Sequence, residues 1–266
     1  MSEKEHQFFD LIRSGVSWFL VALVTFVFFF LVALYFLLFF AFDRPRKGIH
    51  PIVSFWARTI LLVCPVMKVR LEGAGRLKEN ETYVLIANHQ SLADIIAVLH
   101  LAHSFKFIAK RELFWIPFFG WAIFLAGYIP LIRGDHKSGK EVLECARRYL
   151  KQGVSVLFFP EGTRSLDGEI HAFKIGAFKL ASELNMPVVP LVIDGTRNLI
   201  PKGSRLIGRS AQVSVHVELP RQPRGKDTSS VEVFMEEIRN KMVDRLNQIR
   251  SQTRQVDEFN FANTRP

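Results

Sequence analysis

A histidine and an aspartate stand five residues apart in Asn88-His89-Gln90-Ser91-Leu92-Ala93-Asp94. The strand-like run Tyr83 to Ala87 precedes them, and an apolar helical pattern, Asp94 to His103, follows. The histidine is therefore predicted on a strand-to-helix turn with a carboxylate just beyond it. A base oriented by an acid is the minimum equipment for activating a hydroxyl group. A purely structural reading stands beside that one. Ser91-Leu92-Ala93-Asp94 also fits a capping box, with Ser91 as N-cap and Asp94 at the third helical position.

A second constellation, Phe158-Phe159-Pro160-Glu161-Gly162-Thr163-Arg164-Ser165, directly follows the predicted strand Val154 to Phe159. In α/β sheets, ligands bind beyond the carboxyl ends of strands, so the two turns are candidates to meet. Arg164 carries a planar donor fork that suits phosphate. Gly162 lets the backbone come close to a ligand. Lys110, Arg111, Arg133 and Lys174 also fall after strands or beside this turn, which favours an anion pocket. Gly134 to Lys140 has the spacing of a phosphate loop, but Glu141 stands where Ser or Thr should meet magnesium, so that reading fails. Cys64 and Cys145 are far apart and form no Cys-x-x-Cys, so disulfide and zinc readings fail too.

The elements that must position these residues follow from periodicity. Strands are predicted at Met67 to Gly73, Tyr83 to Ala87, Phe105 to Ala109, Ile129 to Ile132, Val154 to Phe159, Val188 to Ile193 and Ala211 to Glu218. Helices are predicted at Leu92 to His103, Lys140 to Gln152 and Ala172 to Leu184. The alternation predicts an α/β domain over 67–225, with a central, mostly parallel sheet flanked by helices. Val231, Phe234, Ile238, Met242, Leu246 and Ile249 then repeat at helical spacing, giving an amphipathic C-terminal helix over 226–250. The polar tail 251–266 is expected to lack structure.

Residues 1–66 read differently. No residue from Gly15 to Phe42 is charged, and about 20 apolar residues suffice to cross a bilayer as a helix. The apolar stretch 15–42 is thus expected in a membrane. The shorter segment 52–66 reads as re-entrant or interfacial. Arg44, Arg46 and Lys47 between them, against Lys4 and Arg13 before the first segment, place the downstream side in the cytoplasm. The net charge is +10. No stacking platform or recognition helix accompanies it, so nucleic acid is not the expected partner, and anionic head groups and carriers fit better.

The motifs resemble the four ordered blocks of the glycerolipid acyltransferases. Asn88 to Asp94 matches Asn-His-x4-Asp, and Lys110-Arg111-Glu112-Leu113 with Pro117, Gly120 and Arg133 resembles the second block. Phe159 to Ser165 resembles the third, and Val189-Pro190-Leu191-Val192-Ile193 the fourth. The resemblance implies a membrane-bound enzyme of phospholipid biosynthesis. It would move an acyl group from a thioester of acyl carrier protein or coenzyme A to the sn-2 hydroxyl of lysophosphatidate, giving phosphatidate. It implies His89 as base and Asp94 as its orienting acid, with Arg164, Lys110 and Arg133 on the acceptor phosphate. Asn88, Glu161, Gly162 and Thr163 would support the motif turns, and Phe114 to Ala126 would line an acyl path. No metal and no cofactor are implied, and the expected place is the cytoplasmic face of the inner cell membrane. Rival readings are another acceptor (glycerol 3-phosphate, another lysophospholipid or an aminoacyl lipid), a thioesterase, and a non-catalytic lipid-binding protein.

Overall fold

The computed structural model describes residues 3–197, 199–200, 206–208 and 211–263, with side chains described between 8 and 255. Among the described residues, seven strands form one sheet in the order β1-β7-β6-β2-β5-β3-β4. They are β1 (Met67–Glu72), β2 (Val84–Ala87), β3 (Phe105–Lys110), β4 (Ile129–Leu131), β5 (Ser155–Phe158), β6 (Val188–Asp194) and β7 (Ala211–Val217). Every neighbouring pair is parallel except β6 and β7. The central strands β2 and β5 are buried throughout, which explains why they read as continuous apolar runs. The expected α/β class with a mostly parallel sheet is the observed one.

Helices cover both faces. On one lie α1 (Glu3–Phe39), α2 (Ile49–Val63), α3 (Ala93–Val98) and α4 (Phe119–Leu125), packed over Leu85, Phe107 and Val189. On the other lie α5 (His136–Lys151), α6 (Gly176–Leu184) and α7 (Thr228–Asn263), packed over Val84, Ile86 and Val156. Fully burying an aliphatic side chain contributes about 1.5–3 kcal/mol, so both apolar layers are needed to hold the sheet.

Several boundaries differ from the expected ones, each for a local reason. The helix predicted to reach His103 stops at Val98, because His100 and Leu101 turn tightly onto the carbonyls of Ala97 and Val98. α5 starts early, at His136, because the Asp135 side chain accepts the Lys137 N–H and caps it. α6 starts late, at Gly176, because the N–H groups of His171 and Lys174 are used by the turn around Glu161. The tail expected without structure from 251 is instead helical to Asn263, since no Gly or Pro interrupts α7 there. Residues 264–266 of that expectation lie outside the described residues.

α1 has the length and composition to cross a membrane over Phe8–Phe39, and little of that surface is covered by the rest of the chain. Yet it is tied to the α/β domain at both ends. Arg13 donates to the carbonyls of Ile207 (2.7 Å) and Gly208 (2.9 Å). After α1, the chain turns around Asp43, whose carboxylate accepts from Tyr35, Lys47 N and Gly48 N. That turn is held from below by Lys106, which donates to the carbonyls of Arg46 (2.8 Å) and Ala126 (2.7 Å).

Candidate active site

β2 and β5 are parallel neighbours, so their carboxyl ends open on one edge and bring the 88–94 and 159–165 turns together. The turns are joined directly: Ser165 N donates to His89 O at 2.8 Å. Asn88 splices the first turn onto β6. Its side chain donates to Ile193 O and accepts from Ile193 N, both at 2.8 Å, in the manner of a paired strand residue.

Asp94 is fully buried. Its Oδ2 accepts from His89 Nδ1 at 2.7 Å, Gln90 N at 2.7 Å and Ser91 N at 2.9 Å. Its Oδ1 accepts from Thr196 Oγ1. Four donors converge on one carboxylate, which satisfies the buried charge. The two sequence readings of Asp94 thus coexist, since the same group folds the turn and holds the imidazole. Half of the capping box forms, in the bond from Ser91 N to Asp94; Ser91 Oγ accepts from Ala93 N in place of Asp94 N and donates to Ile200 O. With Nδ1–H given to Asp94, the Nε2 lone pair is the ring's basic site. Phe159 stacks on the imidazole, with ring centres 4.2 Å apart, and fixes its plane.

Glu161 works from the other side. Its Oε1 accepts from His89 N at 3.0 Å and its Oε2 from His171 N at 3.2 Å. Burial raises its pKa, and these two N–H bonds oppose that rise. Gly162 has φ +72°, and a Cβ there would stand 2.9 Å from the Lys174 side chain. Its need for glycine is thus conformational. Thr163 is exposed beside it.

The cations line up along the same edge. Arg164 follows β5, Lys110 ends β3 and Arg133 follows β4. Neighbouring strands are about 4.8 Å apart, so β2, which leads into His89, and β4, which leads into Arg133, stand roughly 14 Å apart. Arg164 is half-buried, and its pKa is lowered first by burial and then by the charge of Arg133, while Asp94 acts in the opposite sense. Lys110 pairs with Glu112 at 3.1 Å in solvent. Glu112 is held below the usual carboxylate range by its own backbone N–H and by Lys110, with Arg133 adding to the effect. The three predicted phosphate ligands therefore share one patch. The same 88–94 turn contributes Leu92 and Ala93 to an apolar cavity of about 420 Å³. Trp18 and Phe28 of α1, Trp56 of α2, and Leu92 and Ile96 line it.

Sequence reasoning missed Thr196, Phe159 as a stacking partner, and Gln90, whose side chain donates to Gly168 O. Thr196 was within reach of the rule already used, because Gly195-Thr196 follows the carboxyl end of β6. Gly195 has φ +90°, and a Cβ there would meet Gln212 O at 2.0 Å, so only glycine leads the chain from β6 into Thr196.

The acyltransferase family model matches residues 68–194, which contain the 88–94 and 159–165 turns and the three cations, while Thr196 lies just beyond it. These residues form an acyltransferase-family domain. A chloroplastic 1-acyl-sn-glycerol-3-phosphate acyltransferase, BAT2 of Brassica napus, is 38% identical over 208 residues, covering 77% of this chain and 58% of that protein. The human 1-acyl-sn-glycerol-3-phosphate acyltransferase alpha is 34% identical over 179 residues, 66% of this chain and 63% of that one. The chain thus spans about three fifths of the length of these curated relatives. Among solved structures, the 1-acyl-sn-glycerophosphate (LPA) acyltransferase PlsC from Thermotoga maritima matches with a TM-score of 0.76 and 28% identity. That match covers 91% of this chain and 97% of PlsC. The acyltransferase domain here therefore carries its candidate site on the same scaffold.

Proposed function

We propose that the chain transfers an acyl group from a thioester to the sn-2 hydroxyl of 1-acyl-sn-glycerol 3-phosphate, forming phosphatidate. The observation that carries this reading is the buried His89–Asp94 pair in a turn that also gives Leu92 and Ala93 to an apolar cavity, with Arg164 within electrostatic reach of both Asp94 and Arg133. His89 Nε2 takes the proton of the attacking hydroxyl, and Asp94 stabilises the imidazolium that forms. The hydroxyl oxygen bonds to the thioester carbonyl carbon, and the thiolate leaves with the proton that His89 returns. No acyl-enzyme is needed, because the thioester is already activated. Arg164, Lys110 and Arg133 hold the phosphate, which fixes the hydroxyl against His89. Asn88, Glu161, Gly162 and Thr163 keep the turns in register. The donor is acyl carrier protein or coenzyme A thioester; both are anionic and suit the basic edge. The reaction as written uses no metal and no cofactor.

The membrane supplies the acceptor. Both ends of α1 are fastened to the acyltransferase domain, and a helix standing across a bilayer would carry Arg13 away from it. On this reading α1 lies along the domain with its apolar face in the lipid, and the basic turn of Arg44, Arg46 and Lys47 supports the cytoplasmic side of the inner cell membrane. A thioesterase would release fatty acid with no acceptor present, and the cation row gives it no purpose. The test is a purified sample in detergent, offered one thioester and a panel of lyso-acceptors, with products resolved by mass. Phosphatidate from lysophosphatidate alone supports the reading. Equal turnover of a lyso-lipid lacking phosphate, or free fatty acid as the main product, overturns it.

A further inference from the structure

The reaction joins two chains, and among the described residues two apolar compartments adjoin the membrane helix α1. The first is the cavity lined by Leu92 and Ala93, which belong to the same turn as His89. The second is an open cleft of about 520 Å³ between α1 and α4, lined by Phe29, Arg111, Trp115, Trp121, Phe124 and Pro130. The segment 113–119 separates them. Leu113, Ile116 and Phe119 face the cavity, while Phe114 and Trp115 face the cleft. This wall is held rigidly at a cost. Phe118 has φ +61° and ψ −54°, with Phe119 N bonded to Pro117 O at 2.7 Å, which is the rare and strained form of the γ-turn. Its ring is locked edge-on against Phe26, Phe29 and Trp121. Strain of this kind persists where the surroundings over-determine it, often at ligand clamps.

Position decides which chain each compartment takes. The carbonyl under attack must stand at His89, so the chain attached to it leaves through the adjacent cavity. The acceptor is laid in the other direction, because its phosphate is drawn along the cation row toward β3 and β4. That row ends at the cleft: Arg111 follows Lys110, and Pro130 lies in β4 three residues before Arg133. The cleft is also continuous with the lipid-facing surface of α1, and Trp115 (73% exposed) and Phe124 (65% exposed) open it to the bilayer. Building on the acyltransferase reading above, we propose that the α1–α4 cleft seats the acyl chain already esterified to the acceptor. Lysophosphatidate then enters sideways from the leaflet, with Arg111 at the mouth beside its head group and Trp121 against its chain.

The test compares the full-length wild type, Trp121→Ala and Trp121→Phe with lysophosphatidates of six to twelve carbons, all below their micelle concentrations. Burial of one methylene corresponds to about four-fold in binding, so wild-type kcat/KM rises with acceptor chain length. Trp121→Ala removes one wall of the cleft, and its kcat/KM for the twelve-carbon acceptor falls at least ten-fold further than for the six-carbon one. Trp121→Phe keeps an apolar wall and restores most of the difference. The donor chain-length profile, measured at a fixed acceptor, stays unchanged in both variants. An equal loss for short and long acceptors, or a shift in the donor profile instead, overturns the proposal. So does an unaltered acceptor profile with weakened vesicle binding, which marks the cleft as a seat for bilayer lipid. If the wild type acylates no lysophosphatidate at all, the acyltransferase reading falls first and this inference with it. If the wild type is active and Trp121→Ala does not discriminate by acceptor length, only this inference falls.

Discussion

Asp94→Asn removes one charge and no heavy atom, which makes it the sharpest probe of the His89–Asp94 pair. Thr196 Oγ1 donates to Asp94 Oδ1, and a hydroxyl can turn to accept instead. The new amide nitrogen therefore has a partner on that side. The amide oxygen then keeps the bonds from His89 Nδ1, Gln90 N and Ser91 N that Oδ2 now receives. The turn and the histidine tautomer survive, and what is lost is the anion facing the imidazolium. Two unit charges about 4 Å apart at an effective dielectric near 20 interact by about 4 kcal/mol. At 1.4 kcal/mol per decade, kcat should fall about a thousand-fold, with both KM values little changed. The assay is steady-state acyl transfer, with far-UV circular dichroism and a thermal melt as fold controls. A folded variant that keeps more than a tenth of wild-type kcat would show that Asp94 only caps its turn, and the mechanism would lose its acid.

Three further outcomes are expected. Thr196→Val deprives the buried carboxylate of one charged hydrogen bond, worth about 1.5–3 kcal/mol, so kcat should drop roughly ten- to a hundred-fold; unchanged kinetics would remove Thr196 from the site. Arg164→Lys keeps the charge but loses the fork, so KM for lysophosphatidate should rise while donor KM holds, and Arg164→Ala should be worse. An equal loss for an acceptor lacking phosphate would mean that Arg164 serves only its turn. Lys106 is buried beneath the α1–α2 turn, and burial pushes its amine down to about 7 from the usual 10.5. Between those two values the unfolded chain binds the extra proton, so this group destabilises the fold most below pH 7, and the penalty shrinks as pH rises toward 10. Thermal melts of wild type and Lys106→Met from pH 6 to 9.5 should show wild type gaining on the variant as pH rises, and the opposite slope refutes the assignment.

How much of this was legible without coordinates depends on the range of the interactions. The strands could be read because both faces of the sheet are buried, so Tyr83 to Ala87 and Val154 to Phe159 stand out as unbroken apolar runs. His89, Asp94 and Arg164 could be read because one short turn each holds them. The order of the strands could not be read, and it is that order which makes a row of Lys110, Arg133 and Arg164. The place of Thr196 beyond the carboxyl end of β6 could be read, but its bond to Asp94 spans 102 residues and no local pattern encodes that contact. The burial of Lys106 is equally non-local. Lys106 stands between Phe105 and Phe107 in β3, and its amine is buried because the α1–α2 turn brings the Arg46 carbonyl onto it.

The central claim is that His89 activates the acceptor hydroxyl directly. Its most direct test is the rate of phosphatidate formation by purified wild type and His89→Ala under the same saturating thioester and lysophosphatidate. The account predicts a loss of about 10²- to 10⁴-fold with the melt and membrane association unchanged. Activity of His89→Ala above a tenth of wild type would contradict it.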